Sequence, residues 1–350
     1  MDSTEPKEER PSPTPRAGRP WLPILLGVLL LGSLLMNALL LMVAAFAGAG
    51  TGMSPEFQQV LVDGEAGRTD KIVVIPIQGM ILELPDQSGN PSGSVSNLIH
   101  QLRALRRDKN VKALVLDIDS PGGGVTSSDI IYHELAAFKK EKNIPVVALF
   151  GDVAASGGYY VAMSADHIVA HSTTVTGSIG VISQLYNVHE LLDKVGVQVN
   201  TIKSLDSQGK ESFKDIGSPY RPMTPEERKL IQGLIDEMWQ RFTEVVAEGR
   251  KGKLSQAQVQ QLADGRVFTG PRAKELGLVD TIGYRQDAYR IARDLAQASD
   301  AKVVQLQKVP GLQDLLQLGF RSESTNLSDL LGKVDEPAPR LLYLWTGFSR

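Results

Sequence analysis

Between Arg19 and Glu56 the chain carries no charged residue, and Trp21–Phe46 (WLPILLGVLLLGSLLMNALLLMVAAF) is almost wholly apolar. A helix that crosses a hydrocarbon core needs about 20 consecutive apolar residues, and this run exceeds that length. Trp21 stands where an aromatic side chain meets a membrane interface. A buried helix of a soluble protein rarely stays apolar on every face for so long. A cleaved signal peptide is the stronger competitor, because Ala45-Phe46-Ala47 has the small residues of a cleavage site. The apolar stretch is longer than a signal's hydrophobic region, however, and a polar arm precedes it. An uncleaved single transmembrane helix over residues 21–47 is therefore expected. Lys7, Arg10, Arg16 and Arg19 precede it, whereas Glu56, Asp63 and Glu65 follow before the next basic residue. The positive-inside rule puts the N-terminus in the cytoplasm and the rest of the chain on the periplasmic or extracytoplasmic side of the cell membrane.

The remaining composition is that of a folded protein. Of 350 residues 42% are hydrophobic and 22% charged, enough to bury a core. Lys and Arg total 37 against 40 Asp and Glu, a net charge of −3 that argues against nucleic-acid binding through a basic face. With no cysteine, disulfides, thiolate catalysis and Cys-ligated metal sites are excluded. Residues 1–20, rich in proline and charge, are expected to be a disordered cytoplasmic arm. Residues 48–70 are expected to form a Gly-rich linker, 71–300 the main folded domain and 301–350 a C-terminal extension.

Within 71–300 strand and helix signals alternate. Lys71–Ile81 and Ala113–Asp119 (ALVLDID) are β-branched or continuously apolar, as in strands covered on both faces. Ser96–Arg106 and Ser128–Lys140 carry apolar residues at helical spacing. Strands are expected at Pro145–Phe150, His167–His171, Ser178–Ser183 and Val197–Lys203, with helices at Val188–Val195, Ala257–Leu262 and Gln286–Ala298 and a short strand at Val303–Leu306. A long helix over Pro225–Arg250 opens on Thr224 and Glu227, the residues of a capping box, with Pro225 at its first position. Its Leu230, Leu234, Met238 and Phe242 suit either a core or a subunit contact. Strand–helix–strand units of this size imply crossovers and a mainly parallel sheet, an α/β fold.

Two small-residue loops follow apolar strands. Asp119-Ser-Pro-Gly-Gly-Gly124 opens a helix, and its glycines free backbone N–H groups to face a phosphate or a developing oxyanion. The Gly-Lys-Ser/Thr of a phosphate loop is missing. An ordinary turn is the plainer alternative. Val153-Ala-Ala-Ser156-Gly-Gly-Tyr-Tyr160 sets a serine on a tight turn, where the Gly157 N–H can serve an oxyanion. Here the plainer alternative is Ser156 as a helix N-cap. A nucleophilic serine needs a base. None of the five histidines has a carboxylate neighbour that singles it out; His167 and His171 read as surface residues of a strand. A lysine taken out of water can act instead, and Lys203, Lys210 and Lys214 lie after the last expected strand.

Taken together, Asp119-Ser-Pro-Gly-Gly123, Ala155-Ser-Gly-Gly-Tyr-Tyr160, Thr176-Gly-Ser-Ile-Gly180, Lys214-Asp-Ile-Gly-Ser-Pro219 and Gly265-Arg-Val-Phe-Thr-Gly270 resemble the signal peptide peptidase A (protease IV) family. The motifs stand in the family's order across roughly Lys71–Arg290. The resemblance implies a ClpP/crotonase-like fold and a serine endopeptidase that degrades remnant signal peptides without metal or cofactor. It makes Ser156 the nucleophile, Lys214 its general base, Ser178 the residue that orients the amine, and Gly123 and Gly157 the oxyanion donors. It also implies a homo-oligomeric ring in which serine and lysine can come from neighbouring subunits. The loop Leu205–Ser212 is longer than the family's pattern, which leaves Lys210 as a competitor for the base. Extended peptide is expected to add a strand beside Gly122–Val125. The apolar octet Leu341–Phe348 is expected to dock into a groove, the peptide site among the candidates. A crotonase-like acyl-thioester enzyme and a non-catalytic membrane assembly partner are the competing functions.

Overall fold

A computed structural model of the chain describes residues 21–49, 57–85, 91–308 and 342–344. It divides into two units, Met1–Pro55 and Glu56–Arg350. The expectation for residues 1–20, and that for the octet outside 342–344, lie outside the described residues.

Among the described residues of the first unit, a helix, α1, runs Trp21–Ala49. Its stretch Ile24–Met42 has a mean hydropathy of 2.5 and none of it is buried against protein. By length and composition it can cross a membrane, two residues longer than the expected span.

The second unit is built on a mainly parallel sheet. Chain order gives β1 (Phe57–Asp63), β2 (Lys71–Gln78), β3 (Glu83–Pro85), β4 (Pro91–Gly93) and α2 (Ser94–Arg106). There follow β5 (Val111–Ser120), β6 (Gly122–Gly124), α3 (Val125–Lys142), β7 (Val146–Ala155), α4 (Gly157–Ala162), β8 (His167–Ala170) and β9 (Val175–Gly177). Next come α5 (His189–Lys194), α6 (Pro225–Gly249), α7 (Gln256–Leu262), β10 (Val267–Thr269), α8 (Gly270–Glu275), β11 (Thr281–Ile282) and α9 (Arg285–Leu295). The last elements are β12 (Lys302–Lys308) and β13 (Leu342–Leu344). The main sheet has the order β1-β12-β2-β5-β7-β8-β11, with β9 beside the end of β7 and β10 beside β9.

Side-chain alternation explains why β5 and β7 read as unbroken apolar runs. Ile72, Val74, Ala113, Val115, Val147 and Leu149 pack toward α9 through Ala288, Tyr289 and Ala292. Their neighbours Val73, Leu114, Leu116, Ala148 and Phe150 are equally buried and must point to the opposite face. There α2 and α3 supply Leu98, Leu102, Leu105, Ile131, Leu135 and Phe138, all buried. Beyond β8, Arg250 and Asp280 form a buried two-point ion pair, at 2.7 and 3.0 Å. The Arg250 Nε–H also donates to the Gly277 carbonyl, so the charge is partnered on both sides.

Several expected boundaries move. Phe57–Asp63, inside the expected linker, is a strand, and Lys302–Lys308, inside the expected extension, pairs with it antiparallel. β12 in turn joins β2 in parallel. Polar residues on an edge strand's exposed face hid the first of these: only Phe57 of β1 is fully buried. The strand expected at Ser178–Ser183 lies upstream, as β9. Val197–Lys203 forms no strand at all, although its alternation suits one. Its residues are mostly exposed, and among the described residues no strand pairs with it; the Val197 N–H donates instead to the Leu192 carbonyl, closing the end of α5. Helix α6 begins with the expected capping box. Its two ends differ: Phe242, Val245 and Val246 are buried, whereas Leu230 and Leu234 are about half exposed.

Candidate active site

The register of the central strands assembles the site. β5 and β7 run parallel with Ser120 opposite Ala154, and β7 runs parallel to β9 with Ala155 opposite Gly177. Ser156 and Ser178 therefore each stand one residue beyond the same register pair. The Ser156 N–H donates to the Gly177 carbonyl at 2.8 Å, which ties the two turns together. Both serines hold positive φ, at 52°, where a side chain is strained. Both are buried. Ser156 sits at the N-cap of α4, but its side chain makes no capping hydrogen bond. The plainer reading of Ser156 as a structural cap thus fails on geometry.

The Gly-rich loop lies directly against this serine. The Ser120 hydroxyl donates to the Gly79 carbonyl and accepts from the Gly122 N–H at 3.1 Å, fixing the turn. The Ile81 N–H donates to the Gly122 carbonyl, and the Gly124 N–H donates to the Ile81 carbonyl. Because these groups alternate along an extended chain, the N–H and carbonyl of Gly123 face the other way. On that side stands β13, antiparallel, with Tyr343 opposite Gly123.

Three groups converge there. A Cβ built on Gly122, whose φ is 100°, would lie 2.1 Å from the Tyr343 carbonyl oxygen, 2.6 Å from the Gly157 nitrogen and 3.1 Å from Ser156 Cβ. A Cβ on Gly157 would lie 3.1 Å from the Gly123 nitrogen and 2.4 Å from the Ser128 hydroxyl. Only glycine at 122 and 157 lets two backbone nitrogens, a serine and a peptide carbonyl share this space. The expected strand addition beside Gly122–Val125 is thus seen with a segment of the chain's own C-terminal octet.

The lysines separate by their surroundings. Lys203 is held between Glu211 and Asp215, each at 2.9 Å, and those carboxylates raise its pKa, the opposite of what a base requires. Lys210 lies over the Phe213 ring, 5.7 Å from its centroid. Lys214 is exposed, and no ion pair or hydrogen bond joins it to Ser156 or Ser178 among the described residues. The single chain therefore brings Ser156, Ser178, Gly123 and Gly157 together and leaves Lys214 apart from them. His167 bonds to Thr281 at 2.9 Å and His171 packs beside the Tyr284 ring, so neither serves Ser156. No cluster of metal-ligating side chains occurs among the described residues.

The loop that carries Lys214 is anchored by charges that no local motif groups together. Arg221 grips the carboxylates of both Asp215 and Glu227, and Lys203 joins Asp215. Hydrogen bonds from Arg221 hold Glu227 down to about 2 and Asp215 lower still. A depressed carboxylate contributes stability that is complete above its ordinary range and is lost as pH falls through its folded value. For Glu227 that window runs from 4.5, its ordinary value, down to about 2. In Arg221→Gln the acid loss of stability should move up into the ordinary carboxylate range, about 4–4.5, read as the thermal unfolding midpoint at each pH. A profile recorded from pH 2 to 7 on both proteins checks this.

Comparison with known proteins gives the family. The model of Peptidase family S49 matches residues 138–299. A putative protease of Synechocystis is 43% identical over 238 residues, which span 67% of this chain and 82% of that protein. A putative signal peptide peptidase SppA of Enterococcus faecium is 37% identical over 250 residues, 71% of this chain and 70% of its own length. The chain belongs to the signal peptide peptidase A family. It is accordingly a serine protease, and the expected α/β fold with a mainly parallel sheet is the one observed. Among solved structures, a ClpP1 mutant from Listeria monocytogenes is similar over 61% of this chain and 93% of its own, with 18% identity and a TM-score of 0.38.

Proposed function

We propose that this family member is a membrane-anchored Ser–Lys endopeptidase acting on remnant signal peptides and other exported or membrane-embedded peptides. The observation that carries the reading is that Ser156, the Gly157 nitrogen and the Tyr343 carbonyl all border the space left free by the missing side chain of Gly122, with Tyr343 paired opposite Gly123. In the proposed reaction the Ser156 hydroxyl attacks the substrate carbonyl and passes its proton to the neutral Lys214 amine. The Gly123 and Gly157 N–H groups hold the oxyanion, each donor contributing about 3–4 kcal/mol to the transition state. The protonated amine then gives its proton to the departing nitrogen, and water hydrolyses the acyl-enzyme with the amine again as base. Ser178 orients that amine. No metal or cofactor enters these steps.

Lys214 is proposed to reach Ser156 from a neighbouring copy in a homo-oligomer. A lysine base must be drawn out of water, and in one chain Lys214 is exposed. The segment that carries it displays Tyr186, Leu191, Val195, Ile202 and Phe213 to solvent, an apolar surface of the kind that subunit contacts cover. Helix α1 would anchor the assembly in the cell membrane with the catalytic unit on the extracytoplasmic side, as the flanking charges favour. An incoming peptide would take the strand position that Leu342–Leu344 holds.

The reading is tested by treating the detergent-solubilised full chain with a fluorophosphonate and measuring intact mass and the modified site. A single adduct on Ser156, lost in Lys214→Ala, is expected. A folded, oligomeric preparation that takes up no label under conditions that modify a control serine hydrolase would favour a non-catalytic assembly partner instead.

A further inference from the structure

We propose that Ser120 is a positioning residue of this enzyme: its hydroxyl sets the plane of the Gly122–Gly123 peptide, and with it the direction of the Gly123 N–H that receives the oxyanion. The proposal rests on the peptidase reading above and adds to it the side chain that keeps a donor loop made of glycines in its working shape.

The loop cannot hold itself. Gly122, Gly123 and Gly124 carry no side chain to restrict their torsions, Gly122 holds a φ of 100°, and Pro121 before them has no N–H to bond. An oxyanion donor lowers the barrier only if it already points at the site before the charge develops. The direction must therefore come from outside the three glycines. Ser120 is fully buried at the end of β5, and its hydroxyl bonds on both sides. It donates to the Gly79 carbonyl at 2.6 Å and accepts from the Gly122 N–H at 3.1 Å. Its one proton and one of its lone pairs are thereby committed, which fixes the rotation of the hydroxyl.

Gly79 matters because it starts the arm that grips the far side of the loop. The Gly79 N–H donates to the Asp119 carbonyl at 2.9 Å, the Ile81 N–H to the Gly122 carbonyl at 2.8 Å, and the Gly124 N–H to the Ile81 carbonyl at 2.9 Å. A trans peptide sends its carbonyl and its N–H in opposite directions. With the Gly122 carbonyl pinned to Ile81, the Gly123 N–H must face away from the arm. On that side lies the turn of Ser156, where a Cβ on Gly157 would stand 3.1 Å from the Gly123 nitrogen. These arm-to-loop bonds run from backbone to backbone; the Ser120 hydroxyl adds a side-chain tie where arm and loop diverge. Helix α4 presses on the same residue: a Cβ on Gly158 would lie 2.8 Å from the Ser120 carbonyl oxygen and 3.4 Å from its Cβ. Among the described residues the Ser120 hydroxyl makes no hydrogen bond to Ser156, so its effect on the chemistry passes through the glycine backbone.

The test compares Ser120→Ala and Ser120→Cys with the parent, each as the full-length protein in detergent. Cysteine keeps nearly the same volume and offers a weaker donor and acceptor, in a chain with no other cysteine to pair with. End-point labelling of Ser156 by a fluorophosphonate counts the working sites, and kcat is expressed per labelled site. Removing one oxyanion donor outright costs about 100–1,000-fold in kcat, and a donor left in place but misdirected should cost less. We expect kcat per labelled site to fall about 10–100-fold in Ser120→Ala and by a smaller factor in Ser120→Cys, with KM within about 3-fold. A peptide aldehyde, whose hemiacetal oxygen meets the same donors, should lose affinity by the factor that kcat/KM loses. The matching peptide alcohol, which forms no such adduct, should bind as before. Parent-like kcat per labelled site in Ser120→Ala, or a loss carried by KM and by alcohol binding, would overturn the assignment while leaving the peptidase standing. So would the failure of both variants to unfold cooperatively, which would make Ser120 a folding residue and no more. A parent that takes no label and cleaves no peptide would overturn the peptidase reading itself and the role of Ser120 with it.

Discussion

Ser156→Ala should lower peptide hydrolysis by roughly 10⁵–10⁶-fold, the loss typical when a nucleophile that works as one unit with its base is removed. The fold should survive. Ser156 makes no side-chain capping bond to α4, so deleting the hydroxyl removes no structural contact of the helix. Alanine also keeps a Cβ at a residue whose φ is 52°, so the local strain stays as it was. Glycine there should relieve it, and Ser156→Gly should be equally inactive yet more stable, by about 1 kcal/mol. Steady-state hydrolysis of a fluorogenic peptide, alongside thermal unfolding of the three proteins, separates the chemical loss from a structural one. An alanine variant with more than a small fraction of the parent activity would remove Ser156 from the nucleophile's role.

Lys214→Ala should be nearly as damaging, with loss of roughly 10⁴-fold or more, because the oxyanion donors and binding alone retain only a residual rate. A second result is more informative. If the amine comes from a neighbouring copy, co-assembling Ser156→Ala chains with Lys214→Ala chains creates some sites with an intact serine from one chain and an intact lysine from the other. Activity should then reappear in the mixture, though neither parent has it. Refolded or co-expressed mixed oligomers, assayed beside each homo-oligomer, give the answer. A mixture as dead as its parents would mean that both groups of each site belong to one chain. The Lys203 and Lys210 alternatives are met by the same assay. Lys203 is committed to Glu211 and Asp215, and its alanine variant should act through the anchoring of the loop. Lys210→Ala should retain most of the activity.

Much of the catalytic unit is legible in the amino-acid order because its signals are local. ALVLDID announces a strand covered on both faces, and Thr224, Pro225 and Glu227 announce a capped helix. The Ala-Ser-Gly-Gly and Ser-Pro-Gly-Gly turns announce backbone that must adopt conformations few residues tolerate, and Ser156 and Gly122 do so. The charge-free run from Trp21 announces a helix with no polar face. None of these depends on what lies far along the chain.

What depended on distant neighbours was misread or unseen. Phe57–Asp63 becomes a strand only because it pairs at the edge of the sheet with Lys302–Lys308, more than 230 residues away in sequence, itself a lengthened form of the strand expected at Val303–Leu306. Val197–Lys203, alternating like a strand, finds no strand to pair with among the described residues. The pairing of Ala155 with Gly177, which sets Ser156 beside Ser178, is a matter of register rather than of either motif. Nor does any local pattern say that Tyr343 would pack against Tyr160 and Phe242 on a strand paired with Gly123. Turn chemistry and hydrophobic period are carried by adjacent residues and survive in the sequence. Partnership between backbone edges, and the cavity left between two helices, exist only once the chain has closed on itself.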